Sequence, residues 1–192
     1  MQVEMLTTLD GCAMYGPLLL TPQVFSDDRG FSFESWNQRH FNEIVGQSLT
    51  FVQDNHSCSM LGVLRGLHYQ LPPHPQGKLV RCVVGNIFDV AVDIRYGSAT
   101  YGGWVSAELT AVNRCQLWIP EGFAHGFLVL SESAEVLYKT TDFWYRDYER
   151  SLRWNDGDLS IAWPLHKVTG KYPILSSRDM AAPRLSELPP LL

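Results

Sequence analysis

The sequence predicts an all-β fold, a sandwich or barrel of many short strands. Three observations carry that expectation. Short runs of alternating apolar residues dominate the chain, and Gly, Pro, Asn and Asp separate them. Helical periodicity is weak almost everywhere. Six Trp, eight Tyr and nine Phe in 192 residues suit pleated surfaces, where aromatic side chains pack well. Many short strands with turn signals between them close into a sandwich or barrel.

Along the chain, the first strands are expected at 31–36 and 50–54, with a short helix between them at 37–45. The clearest pattern is KLVRCVV, then Gly85-Asn86, then IFDVAVDIR. A Gly-Asn pair between two alternating runs predicts a tight hairpin. In the second run Phe88, Val90, Val92 and Ile94 share one face, and Asp89, Asp93 and Arg95 share the other. Further strands are expected at 104–109, 115–119, 126–130 and 134–141. The Pro-containing tail after Pro173 is expected to hold a second short helix. No repeat, low-complexity tract or linker interrupts the chain, so residues 1–192 read as one domain, long enough for a full core.

No run of about 18 apolar residues is present. The start, MQVEMLTTLDGC, has neither the basic opening nor the apolar stretch of a secretory signal. A cytoplasmic protein without a membrane span is therefore expected. The net charge of -5 argues against a nucleic-acid partner, which normally meets a basic face. It leaves room for an anionic small ligand, because a few placed arginines hold a diphosphate locally. Cys12, Cys58, Cys82 and Cys115 form no C-x-x-C pair and read as small buried hydrophobes rather than a zinc or redox site.

Three segments carry candidate chemistry. LRGLHYQLPPHPQGK holds Arg65, His68 and Lys78. On a regular strand Arg65 and His68 would face opposite ways, but Gly66 between them is a place for a bulge that turns both inward. WIPEGFAHGFLVLS contains P-x-G-x-x-H, a turn-then-strand signature seen in cupin-type barrels, and expects His125 to face the barrel interior. Metal-binding cupins commonly supply two ligands from H-x-H. The corresponding strand here reads L-H-Y, which lowers the metal reading without removing it. In AEVLYKTTDFWYRDYE, Val136, Tyr138 and Thr140 alternate onto one face. Taken singly, His68 and Tyr138 read as satisfied structural side chains, the commoner fate of strand His and Tyr residues.

Together with further ordered motifs, these segments resemble the dTDP-4-dehydrorhamnose 3,5-epimerases. The motifs are FSDDRGFSFE from Phe25, FVQDNHSCS from Phe51, LRGLHYQ from Leu64, GKLVR from Gly77 and DVAVDIR from Asp89. IPEGFAHGF from Ile119, LYKTTD from Leu137 and WND from Trp154 complete the set. The resemblance runs from about Thr21 into the tail. It implies a cupin-like jelly-roll β-barrel with a few short helices, no cofactor and no metal. It also implies a homodimer in which N-terminal strands are exchanged, and a dTDP-sugar as substrate.

By the same resemblance His68 is the base, Tyr138 the acid, and Asp179 the carboxylate paired with the histidine. Lys78 and Arg65 stabilise an enolate or hold substrate. Arg29, Glu34, Gln53, Asn55, His125, Glu149 and Arg178 fall at substrate-binding positions, and Phe143 where an aromatic stacks on thymine. Two departures stand out: Arg178 replaces a common Lys, and Trp144-Tyr145-Arg146 replaces a turn that often holds a small residue and Pro.

The implied reaction suits these residue types. Protons on carbons 3 and 5 of a 4-ketosugar are α to the carbonyl, so both centres invert through enolates without hydride transfer. No nicotinamide-binding glycine motif is present. An imidazole titrates near neutrality and suits a base, and a carboxylate fixes its tautomer. A phenol is protonated at neutral pH and can return a proton from the other face. The oxyanion at carbon 4 needs a cation or donors aimed at it. Three other readings share some of these features: an epimerase acting at carbon 3 or 5 alone, a sugar-nucleotide binder without catalysis, and a metal-dependent cupin.

Overall fold

The computed structural model describes residues 1–168 and 172–189; 169–171 and the end of the tail, 190–192, lie outside the described residues. The chain begins with the paired strands β1 (Gln2–Thr7) and β2 (Ala13–Thr21), then a small hairpin of β3 (Phe25–Asp27) and β4 (Gly30–Ser32). Helix α1 (Gln38–Val45) follows. Next come β5 (Gln53–Met60), β6 (Leu64–Gln70), β7 (Lys78–Val84), β8 (Asn86–Asp93) and β9 (Trp104–Thr110). β10 (Gln116–Ile119), β11 (Phe123–Val129), β12 (Ser133–Thr140) and β13 (Glu149–Ser151) complete the strands, and the short helix α2 (Ser177–Met180) lies beyond them.

Two antiparallel sheets face each other. One runs β1-β2-β10-β7-β12-β5 and the other β13-β6-β11-β8-β9. This is the cupin-like, all-β architecture expected. Inward side chains from both sheets, among them Val80, Leu117 and Val136 against Ala91, Val105 and Phe127, make one buried cluster between them. A second cluster covers the outer face of the five-stranded sheet, where Trp154, Leu159, Trp163 and Leu185 pack on Leu67, Val90, Val92 and Ile94. A third lies on the six-stranded sheet, where Phe41 of α1 meets Leu20, Leu79 and Trp118. Burying apolar side chains of this size stabilises by roughly 1.5–3 kcal/mol each, so the C-terminal cover is structural rather than ornamental.

Local signals explain several elements. Asn37 caps α1, its side chain accepting from the backbone N–H groups of Arg39 and His40, and Gly46 ends the helix in the left-handed region at φ 70°. The expected helix at 37–45 is therefore present with Asn37 as its cap. The expected strand at 31–36 shrinks to β4, and the one at 50–54 starts later and runs on to Met60.

The Gly85-Asn86 hairpin does not form. β7 pairs with β10 and β12, whereas β8 pairs with β11 and β9, so the chain crosses from one sheet to the other at this point. Gly85 serves the crossing instead: at φ 77°, it lies so close to Ser133 that an added Cβ would sit 2.1 Å from the Ser133 carbonyl oxygen. The cysteine expectation holds for Cys82 and Cys115, which are buried, and fails for Cys12 and Cys58, which are exposed; all four are free thiols. Cys12 sits in the β1–β2 turn, and Cys58 points outward from the edge strand β5.

Candidate active site

A bulge in β6 shapes the site. His125 stands opposite His68 and Phe127 opposite Arg65, so β6 spends one more residue than β11 over the same interval. Gly66 absorbs it at φ 123°, packed so tightly on β11 that an added Cβ would lie 2.5 Å from the Gly126 Cα. The result is that Arg65 and His68 both face one open cavity of about 250 Å³ between the sheets.

The other walls come from alternation along neighbouring strands. β7 contributes Lys78, β11 His125, β12 Tyr138 and β13 Glu149. His68 enters from the five-stranded sheet and Tyr138 from the six-stranded sheet, so the two meet the cavity from opposite walls. The cavity continues into a recess of about 290 Å³ lined by Gln53 and Asn55 of β5. Tyr138, Glu149, Gln76 and Trp144 border both spaces.

Each histidine in the cavity is backed by a carboxylate. His68 Nε2 lies 2.6 Å from Asp179 Oδ1, with the His68 side chain 28% exposed and that of Asp179 4% exposed. Burial pushes the Asp179 carboxyl up, but hydrogen bonds from His68, Ser176 and the Gly66 backbone outweigh it and hold the group below its ordinary value. An ionised carboxylate only accepts, so Nε2 carries the proton and the lone pair is left on Nδ1. His125 Nε2 lies 2.6 Å from Asp89 Oδ1 inside the barrel, and burial pushes its pKa down, against the pull of Asp89.

The charged and phenolic groups are similarly tuned. Burial lowers the Lys78 ammonium to about 8, and its Nζ donates to the His68 carbonyl oxygen at 3.1 Å. Burial, then the Glu149 charge, raises the Tyr138 phenol, which keeps it protonated at neutral pH. Burial alone would raise Glu149, but it accepts from Arg178 Nη1 at 2.5 Å and from the Trp144 indole at 2.9 Å, and its net shift is downward. Arg65 donates to Ser59 Oγ at 2.9 Å. Among the described residues, no group of three or more His, Cys, Asp or Glu side chains converges to hold a metal ion.

Arg178 and Asp179 share α2. The preceding segment docks beside β6, with the Leu64 N–H donating to the Ile174 carbonyl and the Ile174 N–H to the Gly62 carbonyl. One helix thus serves His68 and Glu149 together. Arg29 and Glu34 do not reach the cavity. Arg29 is 90% exposed on the β3–β4 hairpin and pairs with Asp27, and exposed Glu34 bonds Asn37 and His40. Phe143 is exposed and outside the lining, where the adjacent Trp144 stands instead.

This arrangement has counterparts among known proteins. The family profile for dTDP-4-dehydrorhamnose 3,5-epimerase matches residues 12–187. A protein of that name from Pseudomonas aeruginosa is 59% identical over 162 residues, 84% of this chain and 87% of its own. The chain belongs to the dTDP-4-dehydrorhamnose 3,5-epimerase family. An epimerase of this family from Legionella pneumophila, solved with dTDP-4-keto-L-rhamnose, superposes with a TM-score of 0.88 at 43% identity, over 98% of this chain and 95% of its own. A 3'-monoepimerase from Streptomyces bikiniensis, solved with dTDP-quinovose, is 35% identical with a TM-score of 0.82, over 89% of this chain and 84% of its own.

Within this epimerase-family fold, several cavity groups escaped the sequence reading. Trp144, Gln76, Ser57 and Phe127 line the space, Asp89 backs His125 from within the barrel, and Ser176 holds Asp179 by a 2.8 Å hydrogen bond. Asp89 carried a signal: the face it shares with Asp93 points into the barrel, and both carboxylates are fully buried. The apolar stripe Val90, Val92 and Ile94 instead meets the C-terminal cover. Only Asp89 serves the cavity, through His125; Asp93 is held by Arg95, Ser98 and Thr100.

Proposed function

We propose that the chain epimerises dTDP-4-dehydro-6-deoxy-D-glucose at carbons 3 and 5, giving dTDP-4-dehydro-L-rhamnose. The observation that carries this reading is the entry of His68 and Tyr138 into one cavity from opposite sheets. Inversion needs removal of a proton from one face of the ring and its return to the other. In this reading His68 Nδ1 takes the proton, while Asp179 fixes the ring and favours the imidazolium. Tyr138, held protonated by burial, delivers a proton from the far wall. Lys78, with Arg65, supplies the positive charge that the oxyanion at carbon 4 requires.

Gln53, Asn55, His125, Glu149 and Arg178 are assigned to substrate binding, as the family resemblance implies. Trp144 rather than Phe143 offers the nucleotide an aromatic face, because it borders the cavity. Arg29 and Glu34 are assigned to the cavity of a second copy in a homodimer, which fits their position on an outlying hairpin and just beyond it. We also propose a cytoplasmic location; no described helix is long and apolar enough to cross a membrane.

Incubation with the ketosugar nucleotide in deuterium oxide, read by NMR, tests the reaction. Solvent label is expected at carbons 3 and 5, and His68→Ala is expected to lose exchange by about 10²–10⁴-fold while keeping its fold. Label at one carbon only, or at neither, overturns the reading.

A further inference from the structure

We propose that Gln70, His74 and Tyr145 form a clamp that presents the Trp144 indole to the cavity and so sets how tightly the nucleotide end of the substrate is held. The inference rests on the reading that Trp144 meets the nucleotide.

Trp144 sits in a loop without ladder hydrogen bonds of its own, between β12 and β13. A single buried side chain brackets it. Gln70 Nε2 donates to the Phe143 carbonyl at 3.1 Å, and Gln70 Oε1 accepts from the Tyr145 N–H at 2.7 Å. These are the backbone groups on either side of Trp144. The same Nε2 donates to the His74 carbonyl at 2.7 Å, joining this loop to the turn between β6 and β7.

Side chains then close the joint. The His74 ring stacks on Tyr145 with centroids 3.7 Å apart and planes 26° apart, and Tyr148 meets it edge-on at 4.8 Å. His74 Nδ1 contacts Asp142 Oδ2 at 2.9 Å, and Gln76 Nε2 donates to the Asp142 carbonyl at 2.8 Å. With its backbone fixed, Trp144 is oriented at both ends: its N–H donates to Gln53 Oε1 at 3.0 Å and its indole N–H to Glu149 Oε2 at 2.9 Å. None of the three clamp residues lines the cavity itself. They are positioning residues acting through Trp144. A preorganised aromatic face binds more tightly because less ordering remains to be done when the ligand arrives.

The test separates binding from chemistry. dTDP affinity is measured by titration calorimetry, and KM and kcat with the ketosugar nucleotide, for the wild type and four variants. Tyr145→Ala is expected to weaken dTDP binding and raise KM by roughly three- to tenfold, the scale of an aromatic pair, with kcat within about twofold of wild type. Tyr145→Phe keeps the stack and is expected to restore wild-type values. His74→Gln removes the stack while retaining a hydrogen-bond donor for Asp142, and is expected to match Tyr145→Ala. The double variant is expected to be no worse than either single one.

A fall in kcat at unchanged KM, equal loss in Tyr145→Phe and Tyr145→Ala, or simple addition in the double variant overturns the clamp. Tyr145 is partly exposed, so the core survives its truncation; if Tyr145→Ala does not fold, His74→Gln decides by the same criteria. A wild-type protein that fails to bind dTDP would instead overturn the functional reading on which the clamp rests.

Discussion

Lys78 concentrates the conflict between folding and chemistry in one side chain. It is buried beside His68, and burial lowers its ammonium from 10.5 to about 8. The unfolded chain holds this proton more tightly, so folding pays a penalty that is fully present below pH 8 and vanishes as pH rises through 10.5. Lys78→Met is accordingly expected to raise stability at pH 7 by roughly 2–3 kcal/mol while abolishing turnover, as chemical denaturation and the exchange assay would read. On the role proposed for Lys78, the cation facing the oxyanion is lost as pH rises through about 8, so kcat/KM is expected to fall above that pH. A flat profile from pH 7 to 9.5 would show that Lys78 is not the charge that matters.

At the level of elements, the β6 bulge decides whether Arg65 and His68 share a wall. Gly66→Ala would push a Cβ to 2.5 Å from Gly126 Cα at a backbone φ of 123°. Backbone strain and crowding together are expected to lower stability by roughly 2–4 kcal/mol and to displace His68, seen as a lower denaturant midpoint with a fall in kcat. The bulge was legible from Gly66 between Arg65 and His68, and α1 as a short helix at 37–45, although its cap at Asn37 emerged only from the structure. β5 was legible only at its start, because its inward residues Gln53, Asn55 and Ser57 are polar and line the cavity. A strand whose buried face is the site lacks the apolar alternation that announces strands. Gly85-Asn86 misled for another reason: the pair marks a sharp change of direction, and sequence does not say whether the next strand joins the same sheet or the opposite one.

Across the whole molecule, the placement of Arg29 and Glu34 away from the cavity divides the candidate site into two parts. If a second copy supplies them, Arg29→Ala and His68→Ala proteins, each inactive, are expected to regain about a quarter of wild-type activity when mixed after joint unfolding and refolding, since mixed dimers carry one complete site. No recovery would show that Arg29 and His68 act within one and the same chain. The motifs in their order disclosed the barrel and the cavity wall, yet Trp144 was missed beside Phe143, because one step along a loop has no periodicity to settle it. His68 and Asp179 lie 111 positions apart in sequence. His68 stands in the wall of the barrel, whereas Asp179 comes from the segment docked beside β6. The segment that hides the apolar stripe of β8 from water also brings His68 its carboxylate, so one docking event couples the burial of a sheet face to the chemistry of a side chain on the other face.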